Sequence, residues 1–187
     1  MKKILLFNIL LAVALSVNAQ SMKDLFLKMP QSVCPLLTEY NRLEIVDNQK
    51  NGKSMMTRNQ VLSVSEMKEL KDDYARLVLS KSSEKVFKIL KKTDGTPVVI
   101  VISTVFIDKT PDSSVEFFDT EWKPLDSAEM LANAVSKDFR YITIDKATDE
   151  LRIMTGHPLT LQMNGSDELP KEKASTVVMK WNGSKFE

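Results

Sequence analysis

The sequence predicts an α+β domain: a mostly antiparallel sheet laid out as a meander, with N-terminal and central helices packed on one face. Three observations carry that prediction. The stretch "YARLVLS" (74–80) alternates Ala75, Leu77 and Leu79 with Tyr74, Arg76 and Ser80, and "SEKVFKIL" continues with Phe87 and Ile89 set against Lys85, Lys88 and Lys91. Period-two alternation marks half-buried strands. Next, "VVIVISTVFI" (98–107) is a nearly unbroken β-branched run, as expected for a central strand covered on both faces. Finally, "SKSS", "TDGTP" and "DKTPDSS" separate these runs with turn residues. A single helix through 72–90 would have to absorb Ser80, Ser82 and Ser83 in mid-run, where they compete for backbone hydrogen bonds.

In chain order, the first element is a leader. "MKKILLFNILLAVALSVNAQ" has a basic start at Lys2 and Lys3, an apolar run from Ile4 to Val17, and small residues at Val17 and Ala19. That pattern predicts a signal peptide over 1–19, cut between Ala19 and Gln20, and one domain over 20–187 in the periplasm or outside the cell. The run falls short of the roughly 18–20 apolar residues of a bilayer span, and no second candidate follows. A lipoprotein would need its acceptor cysteine directly after the run, whereas the single cysteine is Cys34. With one cysteine there is no internal disulfide, and Cys34 reads as a small buried apolar residue. Cleavage also removes Lys2 and Lys3, taking the formal net charge from +1 to −1. Such a balance gives no electrostatic reason to expect nucleic acid or an anionic membrane as partner.

"SMKDLFLKMPQS" places Leu25, Phe26 and Met29 at helical spacing. "PLLTEYNRLEIVDN" sets Leu36, Tyr40, Leu43 and Val46 or Asp47 near one stripe, with Pro35 suited to the first turn. The expectation is two short helices, or one broken at Pro30 to Pro35, ended by a turn at "NQKNG". The 53–67 segment, "MMTRNQVLSVSEM" within it, is a candidate edge strand. After the return strand "VEFFDTEW", the period lengthens in "KPLDSAEMLANAVSKDF", where Asp126 is an N-cap with Glu129 three residues on. "RYITIDKATDELRIMT" reads as a hairpin turning at 146–149, "NGSDELPKEK" as a solvated loop, and Asn182-Gly183 as a hairpin signal.

Few residues point to chemistry. His157 is the single histidine, set in the turn "TGHPL", and one histidine with one cysteine cannot build a structural zinc site. No phosphate loop, dinucleotide fingerprint, nucleophile elbow or metalloprotease motif occurs, so no cofactor is implied. Asp72 and Asp73 would point to opposite faces of a strand, and Asp108 and Asp112 in "DKTPD" lack the density of a calcium loop. Asn164-Gly-Ser166 and Asn182-Gly-Ser184 match the N-glycan acceptor pattern but read as turns. Ten methionines are scattered through apolar stripes and suit core filling. Trp122 and Trp181 end strands, where they either close the core or offer a ligand platform.

Four stretches carry a resemblance: "LFLKMPQSVCPLLTEYNRLEIVD", "ELKDDYARLVLS", "VISTVFIDKTPDSSVEFFDTEWKPL" and "VVMKWNGSKFE". In these the chain resembles a family of uncharacterised secreted proteins of Bacteroidetes, domain of unknown function 3256. The resemblance implies export to the periplasm or beyond, and no activity, ligand or catalytic residue. The 53–67 segment departs from the family's pattern. The phylum also suggests that "DSA", Asp126 to Ala128, is an O-glycan acceptor carrying sugar on Ser127; the competing reading is the helix cap.

Two function classes follow. The preferred one is a non-catalytic binding or accessory module of the cell envelope, with an unknown protein, peptide or glycan partner. The alternative is a carboxylate-dependent hydrolase acting on envelope polysaccharide, which requires two of Asp72, Asp73, Asp119 and Glu121 to converge about 5–10 Å apart.

Overall fold

A computed structural model describes residues 20–108, 110–131, 140–155 and 175–187. The leader, His157, Asn164 and the loop beginning there lie outside those residues. Helix α1, Met22–Lys28, starts where the Ser21 hydroxyl accepts the Asp24 N–H at 3.2 Å. Pro30 is non-helical, and Pro35 lies in a turn rather than in a first helical turn. Helix α2, Glu39–Lys50, begins with a capping box: the Thr38 hydroxyl accepts the Asn41 N–H, and the Thr38 N–H donates to Asn41 Oδ1 at 3.0 Å. The buried positions of α2 are Asn41, Arg42, Ile45 and Val46, while Tyr40 and Leu43 face solvent. The expected stripe through Tyr40 and Leu43 is thus out of phase. Polar anchoring decides the phase, because Asn41 donates to Thr57 Oγ1 and Arg58 O, both at 2.9 Å, and Arg42 to Leu37 O at 3.0 Å.

Seven strands follow in one antiparallel sheet: β1 Met56–Arg58, β2 Val64–Leu70, β3 Tyr74–Ser80, β4 Ser83–Lys91, β5 Pro97–Ile107, β6 Thr110–Phe118 and β7 Pro124–Leu125. Their spatial order equals their sequence order, so the sheet is a meander. The 53–67 segment contributes two strands, turning through Asn59, whose Oδ1 accepts the Val61 and Ser63 N–H groups at 3.1 Å. The "DKTPDSS" turn is shorter than expected, since β6 starts at Thr110. Pro111 is tolerated there because it opposes Phe106, whose N–H points the other way, to Ser82 O at 2.8 Å. In such a pair the missing proline N–H takes no ladder bond.

A second, three-stranded sheet is built from β8 Arg140–Ile144, β9 Glu150–Thr155 and β10 Ser175–Lys180, in the order β10-β9-β8. The expected hairpin is the β8–β9 pair, with the Asp145 carboxylate accepting the Ala147 and Thr148 N–H groups at 2.8 Å. The described part of the central helix is α3, Ser127–Met130, capped by Asp126 as expected.

The large sheet divides the core. One face buries Ala75, Leu77, Leu79, Phe87, Val99, Val101 and Phe118 against Leu25 and Phe26 of α1 and Ile45 and Val46 of α2. The opposite face buries Leu90, Val98, Ile100, Ile102 and Phe117 against Ile142, Ile144, Leu151, Ile153 and Met179 of the small sheet. Residues of α3 and its end, Met130 and Leu131, join this second cluster, not the first. The expectation that N-terminal and central helices share one face is corrected: a second sheet, rather than helices alone, supplies the other cover. Val98–Ile102 are all buried to within 1% because β5 is covered on both sides.

Candidate functional site

A concave feature with a defined chemical character lies where β6, α3 and the small sheet meet. Along β6, Ser113, Val115 and Phe117 alternate onto the second face. Ser113 pins β8 there: its carbonyl accepts the Arg140 Nε–H at 2.9 Å and its hydroxyl accepts the Ile142 N–H at 3.2 Å. That hydroxyl is also 2.9 Å from Thr104 Oγ1, which fixes it in turn. On the other side, the Asp126 cap orients α3, and the Phe186 N–H donates to Met130 O at 2.8 Å. Between them is a cavity of about 280 Å³ lined by Val115, Ser127, Ala128, Leu131, Arg140, Ile142 and Ile153. Its described walls are mostly aliphatic, with the Ser127 hydroxyl and the Arg140 side chain among them. Among the described residues, such a wall offers an apolar surface suited to enclosing an apolar group.

On β4 sits a buried ammonium. The Lys88 side chain is 3% exposed, yet Nζ lies 2.7 Å from Asp73 Oδ2, 3.0 Å from Asp149 Oδ1 and 2.9 Å from Lys146 O. The Asp73 carboxylate and the Lys146 carbonyl accept hydrogen bonds from the ammonium, and the Asp149 carboxylate stands at ion-pair distance. Burial pushes the amine down, but the two carboxylates more than reverse this and hold it above its ordinary value. Asp73 belongs to the β2–β3 turn and Asp149 and Lys146 to the β8–β9 turn, so the cluster ties the two sheets together. Next to it Arg76 donates twice to Glu84 Oε2, at 3.2 and 2.8 Å. Lys85 projects to the first face and donates to Ser103 Oγ at 2.5 Å, with burial pushing its amine down.

Of the carboxylates named from the sequence, Asp73 and Asp119 are not brought together. Asp72 is exposed, and its carbonyl accepts the Met22 N–H at 2.7 Å; Asp73 is engaged by Lys88. Asp119 caps its own turn, accepting the Glu121 and Lys123 N–H groups at 2.8 and 2.9 Å, and Glu121 is exposed. Asp73 enters β3 and Asp119 leaves β6, three strand spacings or roughly 14 Å apart, beyond the reach of a glycosidase pair. Among the described residues no group of His, Cys, Asp and Glu could hold a metal ion.

Trp122 is 7% exposed and donates its Nε1–H to Leu25 O at 3.2 Å, packed edge-on against Phe87 and tilted on Phe118. It closes the first core and leaves no open ring face. Trp181 is partly buried, donates to Lys91 O at 2.7 Å and packs on Phe186. Ser127 opens α3 at the cavity wall. Of the cleavage pair, Gln20 is described and Ala19 is not. Cys34 is fully buried, and burial pushes its thiol up. Asn182 caps the last turn with its Oδ1, accepting the Ser184 and Lys185 N–H groups, so the loop there is longer than a two-residue hairpin. Sequence reasoning missed Arg140, although it is in phase with Ile142 and Ile144, which marks a charge set among inward residues.

A search of curated proteins finds no match. A solved structure of a domain of an uncharacterized protein from Porphyromonas gingivalis W83 has a TM-score of 0.67 at 19% identity, covering 89% of this chain and 96% of that one. At that identity the likeness shows the fold, and its source belongs to the phylum that the sequence resemblance indicated. The model of the family described as protein of unknown function, DUF3256, matches residues 14–186, and the chain belongs to that family.

Proposed function

We propose that this protein is an exported, non-catalytic binding or accessory module of the cell envelope, and that its ligand site is the cavity between the two sheets. One observation carries the reading: a cavity of about 280 Å³ whose described walls are mostly aliphatic, placed where two layers of the fold meet. Binding sites of this make-up hold a ligand by enclosure and orient it by one polar contact. The leader pattern supports export. The alternative, a carboxylate-dependent hydrolase, has Asp73 and Asp119 apart on the sheet, Asp73 engaged by Lys88 and Asp119 by its own turn.

The test is purification from the envelope fraction of the native host, followed by N-terminal sequencing, intact mass and denaturing extraction. Expected are an N-terminus at Gln20 and a small molecule released on unfolding. A cytosolic protein beginning at Met1 would remove the export reading, and turnover of envelope polysaccharide would replace binding by catalysis. The same intact mass decides the proposed glycan on Ser127: a sugar there would stand at the cavity wall, and the bare mass ends that idea.

A further inference from the structure

We propose that the cleft between the end of α1 and the first turn of α2 is a second binding site, which takes the carboxylate or phosphate group of a small anion on the Arg42 guanidinium. The site lies on the helix-covered side of the large sheet, so it stands or falls independently of the cavity between the sheets. The group that defines it is Arg42, 5% exposed. Its Nη1 donates to Leu37 O at 3.0 Å, and its Nε is buried with no hydrogen-bond partner. A carbonyl satisfies one donor but neutralises no charge, and a buried cation is costly unless an anion meets it. Burial pulls the guanidinium below its ordinary pKa, as for a charge under-compensated within the protein. It stays cationic at physiological pH all the same.

The cleft has a volume of about 370 Å³ and is lined by Leu27, Lys28, Pro30, Gln31 and Glu39 as well as Arg42. Room for a ligand arises because α1 ends at Lys28 and Pro30 is non-helical, so the chain leaves the helix axis well before α2 begins at Glu39. Lys28, in the last turn of α1, adds an exposed second cation to the wall. Glu39 is exposed and forms no ion pair with Arg42, so the guanidinium is not claimed from within the cleft. The Leu37 bond fixes one arm of the fork. The unpartnered Nε shares with Nη2 the edge through which a guanidinium meets a two-oxygen anion in bidentate fashion. The N-terminus of the 12-residue α2 brings its positive end to the same place.

Nitrogen-15 NMR of the purified protein tests this, because the Arg42 Nε–H gives its own signal, assigned by through-bond correlation. At constant ionic strength, phosphate or acetate should move that signal saturably and chloride should not. Whichever of the two acts names the group that the site takes, and a response to both assigns it to either. Arg42→Lys keeps the charge and loses the fork, so it should abolish the saturable response, read at the backbone amides of Gln31 and Glu39. Thermal melts establish that each variant folds. Should Arg42→Lys not fold, two exposed positions carry the test. Glu39→Gln, which removes an acid from the cleft, should tighten anion binding about two- to fivefold, and Lys28→Gln should weaken it by as much. If the Nε–H signal responds to neither anion, or responds equally to chloride, the assignment is overturned and water alone meets the donor. An undiminished response in folded Arg42→Lys, or unchanged affinity in both Glu39→Gln and Lys28→Gln, would overturn it as well.

Discussion

At Lys88 a charged side chain takes a core-facing position of β4, in phase with Val86 and Leu90. The sequence shows that phase, but three lysines on one strand read more naturally as a wet face. What the sequence does not show is that Asp73 and Asp149, distant along the chain, arrive together to neutralise it. Asp149 does so from a left-handed backbone conformation, φ 55°, which β-branched residues would resist. Removing the ammonium would leave Asp149 beside the core without its cation, so Lys88→Met should cost about 2–3 kcal/mol, tempered because both carboxylates are partly exposed. Adding Asp149→Asn should recover part of that loss. The folded-state pKa of Lys88 lies above its unfolded value. Its contribution is therefore complete below about pH 10 and is lost as pH rises through the folded value. Urea unfolding at pH 8, 10 and 11 should show the wild-type advantage over Lys88→Met constant between the first two and smaller at the third. An advantage undiminished at pH 11 would refute the assignment.

Among the elements, β3, β4 and β5 were the most legible, because alternation and an unbroken β-branched run have few competing explanations. Where they pass from strand to turn was less so: "DKTPDSS", with its Pro, Asp and Ser, looks like a loop, and only a neighbour's N–H pointing elsewhere lets Pro111 sit in β6. Helix α2 was found but turned wrongly about its axis. Hydrophobicity put Tyr40 and Leu43 inside, whereas Asn41 and Arg42 are buried by hydrogen bonds to β1 and to the preceding loop. This makes Asn41 both a cap partner and a tether. Thr38→Ala, which removes a cap, should cost about 1 kcal/mol. Asn41→Ala should cost about 2–3 kcal/mol, since it also abandons the buried Thr57 hydroxyl and Arg58 carbonyl. Equal losses in chemical denaturation would show that the tether to β1 contributes nothing.

For the molecule as a whole, the decisive feature is that one sheet serves two cores. The apolar run of β5 already required cover on both faces; the sequence offered helices for that purpose, and the hairpin read at 140–155 was not assigned to the second layer. The arrangement has a mechanical consequence. Val99 and Val101 belong to the helix-covered core and Val98, Ile100 and Ile102 to the sheet-covered one, so neither core can dissolve without stripping one side of the same strand. The Lys88 cluster adds a polar tie between the layers. The two tryptophans report on the cores separately: Trp122 is buried in the first and Trp181 packs against the second. Single-tryptophan proteins made by Trp181→Phe and by Trp122→Phe should therefore each give one fluorescence transition in urea. Within each protein that transition should coincide with loss of far-ultraviolet circular dichroism, as for one cooperative unit. If the Trp181 signal were lost at a lower urea concentration than the dichroism of the same protein, the small sheet would be unfolding on its own. The cavity between the layers would then open without loss of the meander.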